Sequence, residues 1–217
     1  MLTREFIQEG VNDPNIFKAV FMAGGPGSGK SFVARQLGLQ AAGLRTINSD
    51  DAFEYLLRKH QLDPKMPPEE QEKRDIIRQR AKDITSTKRS LAIQGRLGLI
   101  IDGTAKNPEK TASVKQGLEA LGYDTMMIFV NTSLPVALER NRMRARSVPN
   151  EVVKKAHEEV QLGKEGLEKV FGSSFVQVLN DMEPDFKPAY KKLQSFLRKP
   201  LSPNAQEWVN MHTQPKK

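Results

Sequence analysis

The chain has 217 residues, 34 Lys and Arg against 26 Asp and Glu for a formal charge of +8, a mean hydropathy of −0.54 and no cysteine. That length suits one α/β-sized domain able to bury a core unaided, and the missing cysteine excludes disulfide scaffolds, zinc ribbons and thiol nucleophiles. No stretch approaches the roughly 18 apolar residues that span a bilayer, and the opening residues interleave apolar side chains with Arg4, Glu5 and Glu9 where a signal peptide would be apolar, so a cytoplasmic protein away from membranes is expected.

Short apolar runs alternate with long amphipathic segments, the pattern of a parallel sheet covered by helices. Residues 17–23 form the first strand and run directly into a glycine-rich segment, followed by a helix over about 31–40. Residues 44–48 read as the second strand, ending in Ser49, Asp50 and Asp51, and 52–60 as a helix with Phe53, Leu56 and Leu57 on one face. The prolines of 62–68 exclude helix there. A long helix over 69–93 and a strand over 97–101 follow, the strand ending at Asp102, Gly103 and Thr104.

Asn107, Pro108 and Glu109 combine a cap, a proline at the first helical position and an early acid, so a helix starts there and stops near Gly122. The run 124–131 is the fourth strand. A helix from Pro135 is expected to carry Arg140, Arg142, Arg144 and Arg146, and a second helix begins after Pro149 and Asn150. Residues 175–179 make the fifth strand and 184–198 a last helix. The expected organisation is one domain over 1–199, with its core at about 17–180, and a tail over 200–217 that holds the single tryptophan, Trp208.

The segment Gly24-Gly25-Pro26-Gly27-Ser28-Gly29-Lys30-Ser31 satisfies GxxxxGK[ST] at every defined position. Its glycines allow backbone N–H groups to curl around an oxyanion, Lys30 brings a point charge to the outer phosphates, and the Ser31 hydroxyl can ligate Mg²⁺. Asp102, at the carboxyl end of a central strand, is placed to hold the metal or orient the lysine. Asp50 and Asp51 end a neighbouring strand, where one carboxylate can take a proton from an attacking hydroxyl and the other cap the helix that follows. Arg140 and Arg144 share a helical face at i and i+4, a clustering of like charge that favours an anion between them.

These residues together resemble the kinase domain of phage polynucleotide kinases and the zeta-toxin-like kinase group. The likeness is carried by the glycine-rich loop, by Thr46-Ile47-Asn48-Ser49-Asp50-Asp51, by Ile100-Ile101-Asp102-Gly103-Thr104 with Asn107-Pro108-Glu109, and by Arg140-Asn141-Arg142-Met143-Arg144 ahead of Val148-Pro149. It spans about 17–180. It implies an α/β P-loop NTPase three-layer sandwich: a five-stranded parallel sheet with helices on both faces and an arginine-bearing lid helix. It also implies transfer of the ATP γ-phosphate to a hydroxyl, a phage origin, and ATP and Mg²⁺ as cofactors.

By the same resemblance Asp50 is the general base, Lys30 and Ser31 handle phosphate and magnesium, Arg140 and Arg144 are the lid arginines, and Asp102 lies near acceptor or metal. A zeta-type register instead makes Asp51 the base. Polynucleotide kinases carry an arginine three residues after the base, where Phe53 stands here. No Asp-x-Asp-x-Thr follows, so a phosphatase module is not expected, and no Asn-Lys-x-Asp guanine-reading segment is found.

Three functions remain open. The acceptor is a polynucleotide 5′-hydroxyl or a hydroxylated base in DNA, in keeping with the excess positive charge. Alternatively it is a small molecule such as a nucleotide sugar, against which Phe53 would stack. In the third, the protein hydrolyses or binds ATP without a phosphoacceptor. Oligomeric state is not readable.

Overall fold

The computed structural model describes residues 10–64, 67–103, 105–144 and 147–213. Thr104, Arg146 and the chain's first nine residues, on which expectations above rest, lie outside the described residues. Strands β1 (Lys18–Ala23), β2 (Arg45–Ile47), β3 (Leu99–Asp102), β4 (Asp124–Asn131) and β5 (Phe175–Leu179) form one sheet in the order β2-β3-β1-β4-β5. Every pairing is parallel, as expected. The register sets Asp102 opposite Met22, so the carboxyl ends of β1 and β3 open side by side.

Helices cover both faces. On one face Phe21, Leu99, Met127 and Phe129 pack with Leu118 of α4 (Pro108–Ala120) and with Val160, Leu167 and Phe171 of α6 (Asn150–Phe171). On the other, Val20, Met22, Met126 and Ile128 meet Val33 of α1 (Lys30–Gln36) and Ala189 and Leu193 of α7 (Lys187–Leu197). Helices α2 (Ser49–Lys59) and α3 (Gln71–Gln94) form a hairpin beside the sheet with a core of its own: Phe53, Leu56, Leu57, Leu62, Ile77 and Ala81.

Several elements depart from their expected bounds for local reasons. Helix α1 ends early because Gly38 takes φ +67 and closes a Schellman-type cap, with N–H groups of Gly38 and Leu39 donating to the Arg35 and Ala34 carbonyls. Helix α2 starts before position 52, because the cap is Asn48, whose side chain accepts from Asp50 N at 2.8 Å. Neither aspartate caps it; both lie in its first turn, where the helix dipole favours a carboxylate. Asn107 caps α4 as expected, accepting from Lys110 N.

The arginine-bearing helix α5 (Leu134–Arg142) stops short of Arg144, so Arg140 and Arg144 do not share a helical face. The buried Asn141 turns the chain there by exchanging hydrogen bonds with Val148: its Nδ2 donates to Val148 O at 2.7 Å and its Oδ1 accepts from Val148 N at 3.1 Å. The tail carries a helix, α8 (Pro203–Thr213), whose Ala205 is fully buried and whose Trp208 meets Phe17 edge-on at 5.5 Å. Phe17, Arg96 and Tyr123 precede their strands, so α8 closes the amino ends of the sheet, opposite Asp102.

Candidate active site

At the carboxyl ends of the strands lies a cavity of about 580 Å³ lined by Gly25, Pro26, Gly27, Gly29, Lys30, Ser31, Asn48, Asp50, Asp51, Glu54, Arg78, Asp102, Arg140 and Arg144, among others. The sequence-predicted residues therefore converge, with two exceptions in orientation: Gly24 and Ser28 belong to the loop but are buried against the protein. The conformation depends on glycine at Gly27 (φ +79) and Gly29 (φ +83), the latter just before α1. The α1 amino terminus thus lines the cavity, and the first N–H groups of a helix, which have no partner within it, suit an anion there.

Lys30 hooks back on its own loop, Nζ donating to Gly24 O at 2.8 Å. Burial pushes its ammonium below the ordinary lysine range, partly offset by the carboxylate of Asp102 and then Asp50, while Arg144 adds to the lowering. Asp102 is the counterpart: burial pushes its carboxyl up, Lys30 pulls it down, and Asp50 and Asp51 push it up again. An entering polyphosphate would relieve the lysine and an entering cation the aspartate.

Asp102 Oδ2 accepts from Asn48 Nδ2 at 3.0 Å, while its Oδ1 is buried with no hydrogen-bond partner. A second cavity of about 260 Å³ brings Asp102 together with Lys30, Ser31, Asn48 and Asp51. A hydroxyl, one or two carboxylates and substrate phosphates are the donor set that suits Mg²⁺, and an orphaned carboxylate oxygen fits such an ion. Asn48 thus joins the capped end of α2 to Asp102. The order Asn-Ser-Asp-Asp ahead of an apolar helical face was the signal for that cap.

Phe53 is not available for stacking on a substrate. It is 1% exposed inside the α2–α3 core, and the guanidinium of Arg78 lies 4.3 Å from its ring centroid. Arg78, an exposed residue of α3, supplies a cation to the α2 side of the cavity that no spacing argument had singled out. Arg144 is exposed at the cavity. Arg140 is half-buried with both terminal nitrogens engaged, Nη1 to Asn180 O at 2.7 Å and Nη2 to Asp181 O at 3.0 Å. Arg142 points elsewhere, 3.3 Å from Glu139.

Among the described residues no helix is long and apolar enough to cross a membrane. No curated protein matches the chain. Solved structures similar in fold include a Chloroflexus aurantiacus protein provisionally named a kinase (TM-score 0.53, 14% identity, 83% of this chain and 96% of that one). Another is the Pnkp1/Rnl/Hen1 RNA repair complex (0.51, 20%, 70% and 46%), so the chain spans just under half of that relative. A third is the PezAT toxin–antitoxin system of Streptococcus pneumoniae (0.50, 15%, 92% and 84%). At such identities the likeness concerns the fold, a P-loop NTPase sandwich that, with a complete phosphate-binding loop, implies nucleotide binding. The family assignment rests on the sequence itself: a family model described as an AAA domain matches residues 20–163, and the chain belongs to that family.

Proposed function

We propose that the protein is an ATP-dependent kinase that transfers the γ-phosphate to a hydroxyl acceptor entering from the α2–α3 side. The observation that carries this is the shared cavity, in which the phosphate-binding loop, Arg144 and the two candidate bases face one space of ligand-binding size. Phosphoryl transfer needs positioning and charge stabilisation more than covalent chemistry, and these residues supply both.

The amides of Gly27 and Gly29 cradle the phosphates, and Lys30 leaves Gly24 O to meet the outer ones. Ser31 and Asp102 would hold magnesium, which when bound neutralises phosphate charge. Asp50 accepts the hydroxyl proton as the acceptor oxygen bonds to the γ-phosphorus and the bridging bond to ADP breaks. Arg144 stabilises charge on the transferring group. Asp50 is preferred as base because it lines only the larger cavity, whereas Asp51 also faces the smaller one shared with Ser31 and Asp102.

The acceptor we favour is a polynucleotide 5′-hydroxyl or hydroxylated DNA base, since Arg78 can hold a phosphate where Phe53 replaces the arginine of polynucleotide kinases. A nucleotide sugar offers the same chemistry and is the second reading. Incubation with γ-labelled ATP and Mg²⁺ against 5′-hydroxyl DNA and RNA, hydroxymethylated DNA and nucleotide sugars tests all of this. Label should pass to a nucleic acid, and Asp50→Asn should slow transfer about a hundredfold or more with ATP still bound. Label found only as free phosphate refutes the kinase reading, and loss of transfer in Asp51→Asn alone moves the base to Asp51.

A further inference from the structure

The Ser28–Gly29 peptide is held from behind by a residue far away in sequence. Ser28 is 4% exposed, and its carbonyl oxygen accepts from Asn180 Nδ2 at 2.7 Å. Thr132 Oγ1 also lies 3.2 Å from that oxygen and 2.9 Å from Asn180 O, and its single proton can serve only one of them at a time. Asn180 is therefore the steady donor. Its contact is close: a β-carbon at Gly29 would collide with Asn180 Nδ2.

In a planar trans peptide the carbonyl and the following N–H point in opposite directions. Tying Ser28 O to Asn180 turns the Gly29 N–H away from Asn180, to the side on which Gly29 lines the cavity. Asn180 is itself immobilised. Its N–H donates to Asn131 O at 2.7 Å, and Arg140 grips the carbonyls of Asn180 and Asp181. Asp181 Oδ1 in turn accepts from Ser133 N at 2.8 Å, which anchors the segment after β5 to the start of α5.

We propose that Asn180, fastened by Arg140, is a positioning residue that sets the phosphate-binding loop so that the Gly29 amide meets the nucleotide's β-phosphate. The inference rests on the nucleotide reading above, and it moves Arg140 from the transferring phosphoryl group to the back of the loop. Two of its donors are already committed to carbonyls, and that geometry reaches the nucleotide through the Ser28–Gly29 peptide.

The test is calorimetric titration of the full chain with ADP and with AMP, for the wild type, Asn180→Ala, Arg140→Ala and the double variant, alongside turnover at saturating ATP. Loss of one oriented, charge-assisted amide contact should weaken ADP about tenfold to a hundredfold. AMP lacks the β-phosphate, so its affinity should hold and the preference for ADP over AMP should shrink, which a general loss of stability would not produce. The double variant should be no weaker than the worse single one, because both act on one peptide. Should Asn180→Ala not fold, Asn180→Ser carries the same expectation. Unchanged ADP affinity in the Asn180 variants overturns the inference and leaves the nucleotide reading standing. Arg140→Ala with unchanged ADP affinity but reduced turnover returns Arg140 to the phosphoryl group. A wild type that binds neither ADP nor ATP defeats the proposed function and this inference together.

Discussion

Replacing Gly27 by alanine tests whether the phosphate-binding loop is held in shape by the helix behind it. Gly27 has φ +79, and a β-carbon there would stand 2.9 Å from the Ala137 carbonyl carbon and 3.0 Å from its Cα, closer still to its oxygen. These are backbone atoms of α5 and cannot rotate aside. Gly38 provides the comparison: it has φ +67, with nothing within 4 Å of the same built atom. Gly38→Ala therefore incurs only the left-handed strain, about 1–2 kcal/mol. Gly27→Ala adds overpacking of about 1–3 kcal/mol, for a total of roughly 2–5 kcal/mol.

For a chain of this length each kcal/mol lowers Tm by about 2–4 °C, so Gly38→Ala should lose a few degrees and Gly27→Ala roughly 5–20 °C. Thermal unfolding with and without Mg-ATP reads both quantities. Gly27→Ala should also lose most of the nucleotide-induced rise in Tm, while Gly38→Ala keeps it. Equal losses of Tm in the two variants would refute the reasoning, because the extra cost of Gly27→Ala comes entirely from the contact with α5.

Two further outcomes follow from the charges and the tail. Because burial sets the Lys30 ammonium below its ordinary 10.5, ATP affinity should fall as pH rises through that lowered value and before 10.5, by up to tenfold per pH unit. The sign is that bound phosphates favour the charged amine, which the free site loses first; affinity that stays flat until the pH reaches 10.5 contradicts it. Trp208→Ala removes about half of a buried tryptophan's worth, about 1.5–2.5 kcal/mol and roughly 3–10 °C, with nucleotide affinity unchanged because α8 closes the opposite end of the sheet. Circular dichroism melts and ATP titration check both halves, and weakened ATP binding would show that the two ends are coupled.

The phosphate-binding loop was legible because its chemistry is contiguous: eight residues carry the glycines, the lysine and the hydroxyl, and no distant contact is needed to recognise them. Strands β4 and β5 matched their expected bounds for a related reason, since a buried parallel strand is a compact apolar run between polar ends. The cap of α2 was expected at one of the two aspartates and lies at Asn48, two residues ahead of Asp50.

What the linear chain could not disclose were relations between segments. The helix carrying the arginines ends where Asn141 bridges to Val148, a bond across seven residues that periodicity does not register. Arg78 is one of several basic residues on a long polar helix, and it reaches the cavity only because α3 packs on α2 with Phe53 beneath it. Asn180 meets Ser28 across 152 residues. The sequence by itself therefore determined the strands, the loop and the carboxylates that follow or end them, because those are legible in local period and contiguous motif. Only the tertiary structure decided which side chains line the cavity beside the loop and which pack behind it, because that depends on how helices pack around the sheet.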